Sequence, residues 1–173
     1  MTCAINIVLS LSNFIGLYIC LQLSGARIPY LSPIQWIAIL AACFSALYHF
    51  FEIKHGQKLS RLVTKQQVGH FLNVDRVFAL LCIGFVMLVL KQLGSYDFYV
   101  KKLPIALFGF VCMLLSESLA KSSDVWISLA SSFNFLNDSE IQMLYAVLHC
   151  IWHLCSFWFL GECIRLSLIP QRY

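Results

Sequence analysis

The chain has 173 residues, of which 60% are hydrophobic and only 12% are charged. The charged residues cluster between long apolar runs, a pattern typical of membrane proteins and not of soluble amphipathic helices. Twelve Lys and Arg residues against eight Asp and Glu give a formal net charge of +4, without a dense basic stretch. This composition excludes nucleic-acid binding and a separate soluble domain, so we expect no nucleic-acid partner.

Hydrophobic runs define the predicted helices. A helix needs about 20 mostly apolar residues to cross the roughly 30 Å of hydrocarbon in a bilayer. We therefore predict an all-α, multi-pass integral membrane protein, a bundle of five to six transmembrane helices in which residues 1–173 form a single domain. The predicted helices are 3–23, 33–53, 69–91, 103–120 and 141–166, with a segment at 125–136 that is too short to cross unaided and is expected to be interfacial or re-entrant.

The order of the helices places their polar residues on one side. If 125–136 does not cross, the ends of the second and fourth helices and the starts of the third and fifth share one side of the membrane. That side carries the following polar residues: Ser45, His49, Glu52, Asp75, Glu117, His149 and His153. Ionisable residues inside membrane helices are costly and usually functional, so their grouping indicates a site.

His149 and His153 are four residues apart on the last helix. Their imidazoles project from the same face about one turn apart, which suits two ligands of one metal ion. The alternative is a pair of histidines that form hydrogen bonds between helices.

His49, near the end of the second helix, is predicted to lie at a depth where it can meet this pair. Three imidazoles and one water are the ligand set of a catalytic zinc site, which predicts zinc as the cofactor. All eight cysteines lie in apolar runs without a C-x-x-C pair, so a thiolate site is not expected. The alternatives are that His49 is an isolated helix-end histidine, or that it pairs with one other histidine on a haem.

Ser45 and Asp75 are the candidate catalytic residues. Ser45 lies one turn before His49 on the same helix face, so its hydroxyl either binds a carbonyl oxygen of a substrate or bonds a carbonyl of its own helix. Asp75 either acts as a general base or orients a histidine, and its alternative is an ion pair with Arg76. Glu52 and Glu117 are weaker acidic candidates on the same side.

The ordered set Ser45-x-x-x-His49, Asp75 and His149-x-x-x-His153 resembles the signature of the CREST superfamily of membrane hydrolases. That family includes alkaline ceramidases, progestin and adiponectin receptors, GPI-lipid remodelling enzymes and myomaker-like proteins. The resemblance implies zinc held by His49, His149 and His153, with Asp75 positioning the water and Ser45 assisting at the oxyanion.

The resemblance also implies hydrolysis of a lipid amide or ester, as in a ceramidase. The family usually has seven spans, so this bundle of five to six is reduced by the loss of a pair. We therefore keep an alternative, a non-catalytic receptor-like or membrane-remodelling relative in which zinc is structural. In either case the expected partner is a lipid substrate or ligand within the membrane.

Overall fold

Five long helices make up the part of the chain that the computed structural model describes, residues 2–26, 30–51, 64–93, 96–121 and 138–168. They are α1 (Thr2–Leu23), α2 (Pro33–Phe51), α3 (Lys65–Leu93), α4 (Tyr96–Lys121) and α5 (Asp138–Leu168). No strand occurs in these ranges, which confirms the all-α prediction for them. All five helices are long and apolar enough to span a membrane. The expected short segment at 125–136 lies outside the described residues.

Hydrogen bonds between a hydroxyl residue and a glutamine three positions later mark the starts of α2 and α3. The backbone N–H of Thr64 donates to the Gln67 side chain at 2.7 Å, and the Gln67 N–H donates back to the Thr64 hydroxyl at 3.3 Å. This reciprocal pair satisfies otherwise unpaired donors, so α3 begins at Lys65, one turn before the expected start at residue 69. At the start of α2 the pairing is not reciprocal, because the Ser32 N–H and the Ser32 hydroxyl both donate to the Gln35 side-chain oxygen, at 2.8 Å and 3.1 Å.

The turn between α1 and α2 is closed by a glycine and a polar link. Gly25 has a φ of 65°, and the Ala26 N–H donates to the Leu21 carbonyl, as in a Schellman cap. The Gln35 amide then donates to the Ser24 hydroxyl at 2.9 Å, which joins the start of α2 to the end of α1. Further along, the Ser10 hydroxyl donates to the Ala46 carbonyl at 2.9 Å, so the two helices run antiparallel.

Helix α4 starts at Tyr96, well before the expected start at residue 103. Asp97 lies in its first turn, where a carboxylate favours the helix dipole, and forms an ion pair with Lys101 at 2.7 Å. The Tyr99 hydroxyl donates to the Leu90 carbonyl at 2.7 Å and fastens α4 to the end of α3. Because of these local contacts, polar residues that the sequence places between two helices belong to the end of α3 and the start of α4.

Helix α5 packs mainly against α1 and α4, while α2 packs between α1 and α3. Gly161 permits the close approach of α1 to α5, since a Cβ atom there would lie 2.9 Å from the Cα and carbonyl oxygen of Cys20. Small residues at such crossings are typical of membrane helix pairs. Apolar side chains from α1, α2 and α5 fill the adjoining half of the bundle: Cys20, Ala38, Ala42, Phe157, Leu160 and Ile164.

Candidate metal site

Three histidines from two helices meet inside the bundle. His49 lies in the last described turn of α2, and His149 and His153 lie one turn apart on α5. The ring centroids are 4.8 Å apart for His49 and His149, 5.2 Å for His49 and His153, and 4.7 Å for the α5 pair. Each side chain is at most 7% exposed, so the cluster is shielded from solvent.

The arrangement of the three rings fits a metal ion. One nitrogen from each ring lies within 4.8 Å of the others. Three nitrogens bound to one tetrahedral zinc ion at about 2.0–2.1 Å lie about 3.3 Å from each other, so modest ring rotations close the site. The rings already contact each other edge to face, which leaves no space for a haem macrocycle between His49 and either partner.

Asp75 and Ser45 lie beside His49. Ser45 is buried one turn before His49 on α2, and its hydroxyl forms a hydrogen bond with the Asp75 carboxylate from α3. Asp75 interacts electrostatically with both His49 and its neighbour Arg76. The structure therefore brings Ser45, His49 and Asp75 close to His149 and His153, and the Ser45 hydroxyl is hydrogen-bonded to the Asp75 carboxylate.

Two serines that the sequence did not single out also contact the cluster. Ser12 Oγ of α1 lies 2.7 Å from His153 Nδ1, and Ser116 Oγ of α4 lies 3.0 Å from His149 Nδ1. Ser12 belongs to a buried polar stretch of α1 with Asn6, Ser10 and Asn13, the one signal in the sequence that could have indicated a polar partner for this helix. Ser116 carries no comparable signal.

Aromatic and aliphatic groups enclose the α5 side of the cluster. The Tyr145 ring lies 5.4 Å from that of His149, with an interplanar angle of 31°. Tyr145 packs with Ile5, Leu9 and Ala146 in an apolar cluster. These groups lower the local dielectric around the imidazoles, which strengthens any charge interaction formed there.

The remaining acidic candidates are placed differently. Glu117 is half-buried on α4, next to the serine that contacts His149. Glu52 lies outside the described residues.

Comparisons with known proteins were made against protein families, curated proteins and solved structures. None of them gave a match to this chain.

Proposed function

We propose that this chain is a multi-pass membrane protein that acts as a zinc-dependent intramembrane hydrolase of a lipid amide or ester bond. The observation that carries the proposal is the buried triad His49, His149 and His153, with Asp75 beside it. Three imidazoles with a nearby carboxylate form the donor set of catalytic zinc sites, whereas structural zinc sites usually have four protein ligands. The order of these residues with Ser45 also supports membership of the CREST superfamily.

Each residue has a chemical role in this proposal. The three histidines would hold zinc, which would supply Lewis-acid activation of a water molecule near neutral pH. Asp75 accepts a proton from the attacking water and returns it to the leaving nitrogen or oxygen. One water is consumed, the carbonyl carbon–heteroatom bond breaks, and a fatty acid leaves with an amine or an alcohol. Ser45 donates a hydrogen bond to Asp75 and orients its carboxylate.

A lipid substrate suits the position of the site. His49 lies two residues before Phe51, where the described part of α2 ends, whereas His149 and His153 lie further inside the candidate span Glu140–Leu168. A lipid whose polar linkage lies at the depth of the histidines brings its amide or ester bond to the site while its acyl chain stays in hydrocarbon. The lining of the site by apolar side chains favours such a substrate over a fully polar one.

A second candidate is a non-catalytic relative in which zinc only joins helices. The contacts of the cluster favour this candidate, because they link α1, α2, α4 and α5 through His49, His149, His153 and the two serines. A structural zinc does not require Asp75, so the effect of changing Asp75 separates the two candidates.

Zinc content is the first test. Wild-type protein purified in mild detergent is expected to contain one zinc ion per chain, and His149→Ala is expected to lose it. His70→Ala is the matched control, because His70 is an exposed histidine of α3 outside the histidine group, and its loss should leave zinc unchanged. Wild-type protein without stoichiometric zinc contradicts the proposal.

Turnover of labelled ceramides and phospholipids is the second test. Asp75→Asn is expected to retain zinc and to lower turnover by about 10²- to 10⁴-fold, the usual contribution of a general base. Asp97→Asn, which alters an exposed carboxylate of α4, should leave turnover unchanged. Bound zinc in a wild-type protein that hydrolyses none of these lipids favours the structural candidate.

A further inference from the structure

The two serines contact equivalent atoms of the α5 histidines. Ser12 lies 2.7 Å from Nδ1 of His153, and Ser116 lies 3.0 Å from Nδ1 of His149. Both serines are buried, with exposures of 5% and 0%. Helices α1 and α4 therefore each contribute one hydroxyl to the same ring position, although neither helix contributes a histidine to the cluster.

Each serine hydroxyl donates its proton to a carbonyl oxygen of its own helix. Ser12 Oγ lies 2.7 Å from the Leu9 carbonyl oxygen, and Ser116 Oγ lies 2.8 Å from the Met113 carbonyl oxygen. A carbonyl oxygen only accepts, so a contact this short requires the hydroxyl proton between the two oxygens. If the proton pointed to the histidine instead, two acceptor oxygens would face each other at that distance.

It follows that each serine oxygen accepts a proton from the histidine. Nδ1 of His149 and Nδ1 of His153 then carry the hydrogen in the neutral ring, and each Nε2 keeps its lone pair. We propose that Ser12 and Ser116 are positioning residues that fix both α5 histidines as Nδ1–H tautomers and present both Nε2 atoms to one metal ion. This inference rests on the metal site of the proposed function.

The proposal assigns a role to α1 and α4 in metal binding. A ligating histidine usually donates its second ring N–H to an acceptor, and loss of that acceptor typically lowers metal affinity 10- to 100-fold. Here the acceptors come from two other helices, 141 positions before His153 and 33 positions before His149. Because the serine hydroxyls are tied to carbonyls of their own helices, the position of each helix backbone determines the orientation of one imidazole ring.

Nitrogen NMR of the full chain tests the tautomers directly. Wild-type protein labelled with ¹⁵N-histidine, free of metal and held in nanodiscs at a pH where the rings are neutral, is expected to show protonated Nδ1 and unprotonated Nε2 for His149 and His153. Assignment uses His149→Gln and His153→Gln. Protonated Nε2 atoms in the wild-type protein would overturn the proposal, whatever its zinc content.

Zinc affinity, measured by competition with a chelator, tests the consequence. Ser12→Ala and Ser116→Ala are each expected to weaken zinc binding 10- to 100-fold. Ser10→Ala is the matched control, because Ser10 is a buried serine of α1 that donates to the carbonyls of Asn6 and Ala46. The zinc affinity of Ser10→Ala should equal that of the wild-type protein. Wild-type affinity in both Ser12→Ala and Ser116→Ala contradicts the proposal.

The nitrogen spectrum tests the tautomers without zinc, whereas zinc binding tests the proposed function. If the wild-type protein binds no zinc, the proposed function fails, and the nitrogen spectrum of the same protein still decides between the two tautomers.

Discussion

The imidazole rings of His49 in α2 and His149 in α5 lie 4.8 Å apart, at an interplanar angle of 73°. Their helices pack mainly against other neighbours, α2 against α1 and α3, and α5 against α1 and α4. The histidine cluster therefore joins α2 to α5, in addition to the apolar cluster that Ala38 and Ala42 of α2 share with Phe157 of α5. A metal ion bound to the histidines would add a further link between these two helices.

Removal of zinc is expected to lower the thermal stability of the protein. A ligand that binds only the folded state stabilises it by about 4 kcal/mol at a free concentration 1,000 times its dissociation constant. For a protein of this size, a change of that order shifts the melting temperature by roughly 10 °C. Thermal unfolding in mild detergent, with and without a zinc chelator, measures the shift.

His49→Ala is expected to abolish this dependence on zinc, because the histidine cluster loses its ligand from α2. His70→Ala should retain the full shift. An equal response to the chelator in His49→Ala and wild type would show that zinc binds without α2.

Changes at Ser45 and Asp75 are expected to be non-additive. Because Ser45 is hydrogen-bonded to Asp75, Ser45→Ala should lower turnover by roughly 10-fold through misorientation of the carboxylate. Asp75→Asn should lower it further, and the double variant should match Asp75→Asn alone. Turnover of the labelled lipid is measured for all four proteins, with zinc content as the control for the site.

Additive effects of the Ser45 and Asp75 changes would indicate that Ser45 acts independently of Asp75. Additive losses, with about 10²- to 10³-fold from Ser45→Ala alone, are typical of an oxyanion donor. Ser167→Ala is a suitable control, since this serine donates to the Ile164 carbonyl near the end of α5.

The sequence was sufficient to predict the helices and the cluster of histidines, for physical reasons. A membrane span must be both long and apolar, so the five helices are visible as hydrophobic runs. The four-residue spacing of His149 and His153 fixes their common face, and alternation of the spans brings His49 to the same end. Asp75 lies further inside its helix than expected, because the capping box of Thr64 and Gln67 starts α3 early.

The contacts of the two serines with the histidines were missed because they depend on how separate helices cross. Ser12 and His153 are separated by 141 positions, and their contact depends on how α1 crosses α5. Gly16, one turn after Ser12, permits that crossing, since a Cβ atom there would lie 3.2 Å from the His153 carbonyl oxygen. Many buried serines donate to a carbonyl of their own helix, and the sequence does not distinguish those that also contact a histidine.

Gly161→Ala is expected to destabilise the bundle by about 1–3 kcal/mol, the usual cost of overpacking. The added methyl group would lie 2.9 Å from two backbone atoms of Cys20, so α1 must move away from α5. Gly84→Ala is the matched control, because nothing lies within 4 Å of a Cβ atom at that position of α3. Unfolding in a graded detergent series should separate the two variants, and equal stabilities would contradict a close crossing of α1 and α5.

A charged cluster lies at the end of α5 remote from the histidines. Glu162 Oε2 accepts a hydrogen bond from Arg165 at 2.7 Å and lies 3.5 Å from Lys102 Nζ of α4. The Glu162 side chain is only 5% exposed, whereas those of Lys102 and Arg165 are 29% and 52% exposed. Lys102 Nζ also lies 5.0 Å from the centre of the Trp158 ring. The buried carboxylate therefore links α4 to α5 and is held by two cations.

Glu162→Gln is expected to lower stability by about 1.5–3 kcal/mol, the usual contribution of hydrogen bonds to a charged group. Zinc binding should be unchanged, because Glu162 lies nine residues beyond His153, roughly 13 Å along the helix. Asp97→Asn, which removes an ion pair whose side chains are 67% and 71% exposed, should cost less than about 1 kcal/mol. Thermal unfolding and zinc content of both variants test this. Loss of zinc from Glu162→Gln would mean that the two ends of the bundle are coupled, since the carboxylate is too far away to act on the histidines directly.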